Sequence, residues 1–235
     1  MHTPYLDQLQ ALADPARSAE MARYHKIARP YLGLSNPQVD TLSRDWRAQL
    51  TLAQRIELAQ ALWQTDIHKA RLAAAKLLTQ ARIRPDAAAW ALIQSWVPDF
   101  DGWALADHAC TAGQKRLWAD PSRLDQVETW TTCDHIWTRR AALVITLPWC
   151  KNRNAKPDEL AQRARILGWA TSYAPDRNWF IQKSIVSWLR DLSKRNPDRV
   201  RAFLRAHGDT MKPFARKEAA KHLSAPAPAA QLPTD

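Results

Sequence analysis

Glycine is scarce, with 5 residues in 235, while the chain carries 15 Pro and 12 Trp. So little glycine argues against a β protein built on many tight turns. It also leaves no Walker loop and no dinucleotide fingerprint, and neither a Gly-x-Ser-x-Gly elbow nor a His-Glu-x-x-His motif occurs. Phosphoryl transfer and serine or zinc hydrolysis therefore lack their usual sequence support. Cysteine is scarce too. Cys110, Cys133 and Cys150 are odd in number and form no close pair, so a disulfide framework is not expected and a reducing cytoplasm is. His108-x-Cys110 and Cys133-x-His135 offer four soft ligands, but not at zinc spacings. Neither a metal nor a cofactor is expected. No run of about 18 apolar residues occurs, so a membrane-spanning helix is not expected. Met1–Tyr5 lacks the basic and apolar regions of a secretory signal.

What is present is apolar bulk and positive charge. Hydrophobic residues make up 46% of the chain, enough for a sizeable core. The net charge is +11, and it is unevenly placed. Ile136–Leu223 holds 19 Lys+Arg against 7 Asp+Glu, whereas Met1–His135 is balanced at 15 against 15. A basic body of that size attracts polyanions, nucleic acid before others; a merely solvated surface is the plain alternative.

Ala, Leu, Arg and Gln favour helices. Apolar residues recur at helical spacing, as in Ile56, Ala59, Leu62, Trp63 and in Ile181, Ile185, Trp188, Leu192. Pro with a capping residue punctuates the chain at Asp14-Pro15, Ser35-Asn36-Pro37, Arg84-Pro85-Asp86, Asp120-Pro121, Lys156-Pro157 and Asn196-Pro197. Ala141–Ile145 could be a buried strand but sits inside a helical pattern. The spacing predicts an all-α fold: an α-solenoid of HEAT-like antiparallel helix pairs with a concave basic cleft. One domain is expected over residues 1–223. The Ala/Pro-rich residues 224–235 are expected to be a disordered tail.

Three segments can carry chemistry. Trp103 and Asp107 are four apart and share a helical face, where a carboxylate beside an aromatic ring can stabilise a developing cation. The plain alternative is a core Trp beside a surface Asp. Arg139 and Arg140 are about 100° apart on a helix, so one can face inward while the other meets solvent or phosphate. Lys183 and Arg190 are seven apart and can contact successive phosphates, while Trp179 and Trp188 either pack in the core or line a pocket.

Several of these landmarks together resemble the DNA alkylation repair glycosylases of the AlkD family. The resemblance runs from about Met21 to Leu223. It rests on Met21–Lys26, on Tyr31–Pro37, on Trp103-x-x-x-Asp107 and on Trp137-x-x-Arg140-Ala-Ala142. Phe180–Lys183, Leu189-Arg190 and Arg216–Leu223 complete it. The resemblance implies a monofunctional glycosylase that hydrolyses the N-glycosidic bond of cationic alkylpurines in duplex DNA. Its substrates would be 3-methyladenine, 7-methylguanine and bulkier adducts, released without tight base flipping. A monomer suits a cleft that must wrap DNA. Asp107 would stabilise the sugar cation and position water, Trp103 would face the deoxyribose and lesion, and Arg140 would hold the nearby phosphate. Tyr24 and Arg190 would contact the backbone, beside the Lys183 that spacing already points to.

This chain departs from the family pattern at three places. Ser187 stands where a third pocket aromatic is expected, with Trp188 adjacent but about 100° around the helix. Asp40 and Pro148 stand where basic residues are expected. A pocket lacking one wall would either lose activity on small bases or admit larger lesions. The alternative is a DNA-structure-binding protein of the same fold without catalysis; a third reading is a helical-repeat protein that binds other proteins.

Overall fold

A computed structural model describes residues 4–223. Among the described residues there is no strand, and the expected all-α class holds. The chain divides into two compact units between Pro148 and Trp149. The first contains α1 (Pro4–Gln10), α2 (Pro15–His25), α3 (Asn36–Gln49), α4 (Leu52–Gln64), α5 (His68–Leu77), α6 (Ala87–Ser95), α7 (Trp103–Ala119), α8 (Leu124–Thr129) and α9 (Ile136–Val144). Short 3-10 turns precede α7, α8 and α9. The division falls within α10 (Leu147–Lys151), and the second unit contains α11 (Pro157–Tyr173), α12 (Trp179–Ser193), α13 (Pro197–His207) and α14 (Pro213–Ala219). The tail expected at residues 224–235 lies outside the described residues. No helix among those described is long and apolar enough to cross a membrane.

The helix starts follow from local chemistry. Asp14 caps α2 by accepting from the Arg17 N–H, and Pro15 occupies the first turn, where no donor is needed. Ser35 and Gln38 form a reciprocal capping box on α3, and Asn196 accepts from the Arg199 N–H ahead of α13. At Asp86 the expected cap is not made. Its carboxylate turns instead to Arg123, at 2.7 and 3.0 Å, because a bidentate charged pair outcompetes one backbone N–H. Between α2 and α3 the chain passes through Gly33 at φ +75, where a Cβ would lie 2.2 Å from the Asp14 carbonyl oxygen. Only glycine fits there. Ala141–Ile145 continues α9 rather than forming a strand.

In the first unit α5 is central, packed by α3, α4 and α7, and α7 in turn packs on α9. Alanines at 70, 73, 74 and 75 let these neighbours approach α5, and all four are at most 1% exposed. In the second unit α12 is held by α11, α13 and α14. Seven of the 12 tryptophans are buried; Trp63 and Trp96 stack with centroids 4.4 Å apart. Dispersion and apolar burial of such rings supply much of the core's cohesion.

Candidate active site

The site is built on the first turns of α7. The segment that leads into this helix is fastened at two points. The Trp63 Nε1–H donates to Asp99 at 2.9 Å, and the buried Arg29 guanidinium pairs with Asp101. Arg29 also reaches Asp66 at 3.3 Å, and Asp66 takes Arg71 at 3.2 Å. These ties fix where α7 begins, and so where Trp103 stands as its first residue.

Trp103 and Asp107 both reach the surface from one face of α7. The Trp103 ring remains 38% exposed, and the Asp107 side chain 35%. Across from Asp107, Arg140 projects from α9 with its side chain only 9% exposed. Its Nη2–H groups donate to the two Asp107 oxygens at 3.0 and 2.9 Å, and Nε donates at 3.3 Å. Such a fork-to-carboxylate pair fixes both the position and the plane of the carboxylate. The two helices can approach because of Gly113, where a Cβ would sit 2.5 Å from Ile145 Cδ1. Of the two adjacent arginines, Arg140 is therefore the inward one. Arg139 donates to the Cys133 and Asp134 carbonyls at 2.9 and 3.0 Å.

Tyr24 lies beside Trp103, 68% exposed, with its ring edge-on at 6.3 Å between centroids. Behind this aromatic pair lies a cavity of about 490 Å³ whose lining includes Tyr24, His25, His68, Lys69, Trp103 and His108. His108 donates from Nδ1 to the Ala104 carbonyl at 2.8 Å. His25 stacks on Tyr31 at 5.7 Å and lies 4.6 Å from the His68 ring. Burial holds all three histidines below the usual imidazole range, His68 down to about 3 with help from nearby His25, Lys69 and Arg29. All three are neutral near pH 7. Burial also lowers Lys69 to about 8, which leaves it mostly charged. Of these, residue spacing points to Trp103, and to His108 only as a soft ligand beside Cys110, while Tyr24 enters through the family resemblance. His25 stood inside a family motif, and His68 and Lys69 carried no signal, because α5 is buried on nearly every side.

The remaining predicted residues lie on α12 in the second unit. Lys183, Ser187 and Arg190 share its partly exposed face. Lys183 pairs with Glu218 at 2.9 and 3.1 Å and lies over the Trp179 and Phe214 rings, so its charge is already matched. Ser187 donates to the Lys183 carbonyl at 3.0 Å. Trp188, expected either in the core or on the wall of a DNA-facing pocket, is 0% exposed, which corrects the pocket reading in favour of the core. Its ring belongs to the inward apolar stripe of α12 with Ile181, Ile185 and Leu192. The sequence neighbours Ser187 and Trp188 divide the outward and inward positions between them. Among the basic-residue departures, Asp40 pairs with Lys76. Of the four soft ligands noted in the sequence, Cys110 is buried with its thiol near the Ala141 carbonyl at 3.8 Å, and His135 Nδ1 faces the Thr138 hydroxyl at 2.8 Å.

Comparison with known proteins gives a consistent picture. A family described as DNA alkylation repair enzyme matches residues 5–223. No curated protein sequence matches. A solved structure described as a "Predicted DNA alkylation repair enzyme" from Enterococcus faecalis is similar with a TM-score of 0.74 and 21% identity, over 90% of this chain and 97% of that one. The smu.31 protein of Streptococcus mutans gives 0.61 and 19%, over 88% and 100%. AlkD2 of Streptococcus mutans gives 0.60 and 17%, over 89% and 99%. At these identities the structures establish a shared fold.

Proposed function

Because this chain belongs to the DNA alkylation repair enzyme family, we propose that it is a monofunctional DNA glycosylase for alkylated, cationic purines in duplex DNA. The observation that carries this reading is the Asp107 carboxylate, oriented by Arg140 beside the open Trp103 ring. A purine methylated at N3 or N7 is already cationic, so its departure needs no strong acid. As the N-glycosidic bond breaks, its electron pair goes to the purine and positive charge grows on the sugar. In this reading Asp107 supplies the anion that stabilises that charge, and the Trp103 π face adds a second, softer attraction. Asp107 then accepts a proton from the water whose oxygen bonds to C1′. Arg140 keeps the carboxylate in the productive plane, so no reorganisation is needed during the reaction. Tyr24, Lys183 and Arg190 serve the duplex backbone, and Lys183 must exchange Glu218 for phosphate to do so.

The test is release of 3-methyladenine and 7-methylguanine from methylated duplex, comparing wild type with Asp107→Asn. Removing one preorganised charge from such a site lowers the rate about a hundredfold or more.

Ser187 favours a second reading. With Trp188 withdrawn into the core, α12 has a small hydroxyl where the family resemblance implies an aromatic wall. A protein of this fold that recognises DNA structure without excising a base has no need of that wall. Salt-dependent duplex binding with no base release from any methylated substrate would support it.

A further inference from the structure

The cavity behind Trp103 contains groups that base excision does not use. His68 is 3% exposed and lines the cavity, and neither of its ring nitrogens has a hydrogen-bond partner. A buried imidazole ordinarily satisfies at least one of them. Beside it, Lys69 is 4% exposed and gives one of its three donors to Asn36 Oδ1 at 2.7 Å. Asn36 is the first residue of the 14-residue helix α3, so the positive end of that helix faces the same space. Arg17 stands at the rim, and Glu20, the one carboxylate in the lining, is exposed. The interior therefore offers N–H donors and positive potential, while the mouth offers the Tyr24 and Trp103 rings.

We propose that this cavity is a nucleotide-phosphate site, with the phosphate held inside by Lys69 and His68 at the start of α3 and the attached sugar and base at the aromatic mouth. A phosphate carries several acceptor oxygens, which suits a pocket with unpartnered donors and a nearby ammonium. Neutral His68 serves as a donor through one ring N–H. Lys69 remains charged near neutrality and supplies the attraction. A phosphate alone leaves much of the 490 Å³ unfilled, and a base can stack on the exposed Tyr24 or Trp103 ring at the entrance. Trp103 and Tyr24 at the mouth are shared with the excision reading, whereas Lys69 and His68 inside belong to this site alone.

The experiment uses the full chain, with inorganic phosphate and deoxyadenosine monophosphate titrated by calorimetry in chloride buffers of equal ionic strength. The site predicts saturable one-to-one binding of both, with the nucleotide tighter. Lys69→Met keeps the buried stem and weakens binding at least about tenfold. His68→Phe keeps a ring in the stack with His25 and Tyr31 and weakens binding several-fold, which a purely structural role would not do. Circular dichroism verifies that both variants fold. Displacement of inorganic phosphate by unmodified duplex would assign the site to a backbone phosphate, and simultaneous binding of phosphate and duplex would assign it to a free nucleotide. Absence of saturable binding by both ligands, or wild-type affinity in both variants, overturns the proposal. Base release is not read, so the result stands apart from the excision reading.

Discussion

The Asp107–Arg140 pair gives the sharpest quantitative test of how the site is organised. Arg140 approaches both carboxylate oxygens within 3.0 Å, and its side chain is 9% exposed against 35% for Asp107. A fully exposed pair couples by less than about 1 kcal/mol, whereas breaking a fully buried one costs about 3–5 kcal/mol. With one partner buried and the other a third open, the coupling should be about 2 kcal/mol. Urea unfolding of wild type, Asp107→Asn, Arg140→Met and the double variant closes a thermodynamic cycle that isolates this term. The single variants should each lose stability, and the double variant should lose less than their sum. Added salt should reduce the coupling only slightly, because the cation is shielded from solvent. A coupling below about 0.5 kcal/mol would place the pair among ordinary surface contacts and refute the claim that Arg140 orients Asp107.

Three further outcomes follow from other parts of the molecule. His68 is neutral in the fold with its pKa lowered to about 3, while unfolded it titrates at its usual 6.5. The unfolded chain thus binds the extra proton, and stability that is intact above 6.5 falls as the pH drops toward 3; at about pH 5 the loss from this residue is about 2 kcal/mol. Urea unfolding at about pH 7.5 and pH 5 should show a drop smaller by that amount in His68→Phe, and an equal drop in both proteins would contradict the assignment. Glu218→Gln frees Lys183, so duplex affinity should rise a few-fold and the slope of log K against log salt should steepen by up to about 0.9. Unchanged binding would remove Lys183 from the DNA contacts. Ser187→Trp restores the aromatic that the family resemblance implies and should speed release of small methylated bases; an unchanged rate would dismiss the missing wall as a determinant.

The helix boundaries were legible wherever one residue settles the local energetics. Asp14, Ser35 and Asn196 each satisfy an orphan N–H, and the Pro that follows needs none. Trp103 and Asp107 were legible as a pair because four residues bring two side chains to one face. Asp86 shows where this reasoning fails, since a distant Arg123 offered its carboxylate a better partner than the cap. Arg140 was legible as a residue but not as the partner of Asp107, because the two lie 33 apart on different helices. Their meeting depends on Gly113 admitting Ile145, which no local pattern announces. His68 and Lys69 escaped for a different reason. They lie on α5, buried on nearly all sides, where polar residues at apolar positions read as noise until the cavity is seen. The neighbours Ser187 and Trp188 left two assignments open, and packing chose the larger ring for the core.

The central claim is catalytic, and its most direct measurement is base release from methylated duplex DNA under single-turnover conditions. Wild type should liberate 3-methyladenine or 7-methylguanine, and Asp107→Asn should do so about a hundredfold more slowly while binding the duplex with similar affinity. Equal rates for the two proteins would contradict the role given to Asp107, and no release by the wild type would leave a DNA-binding protein in place of the glycosylase.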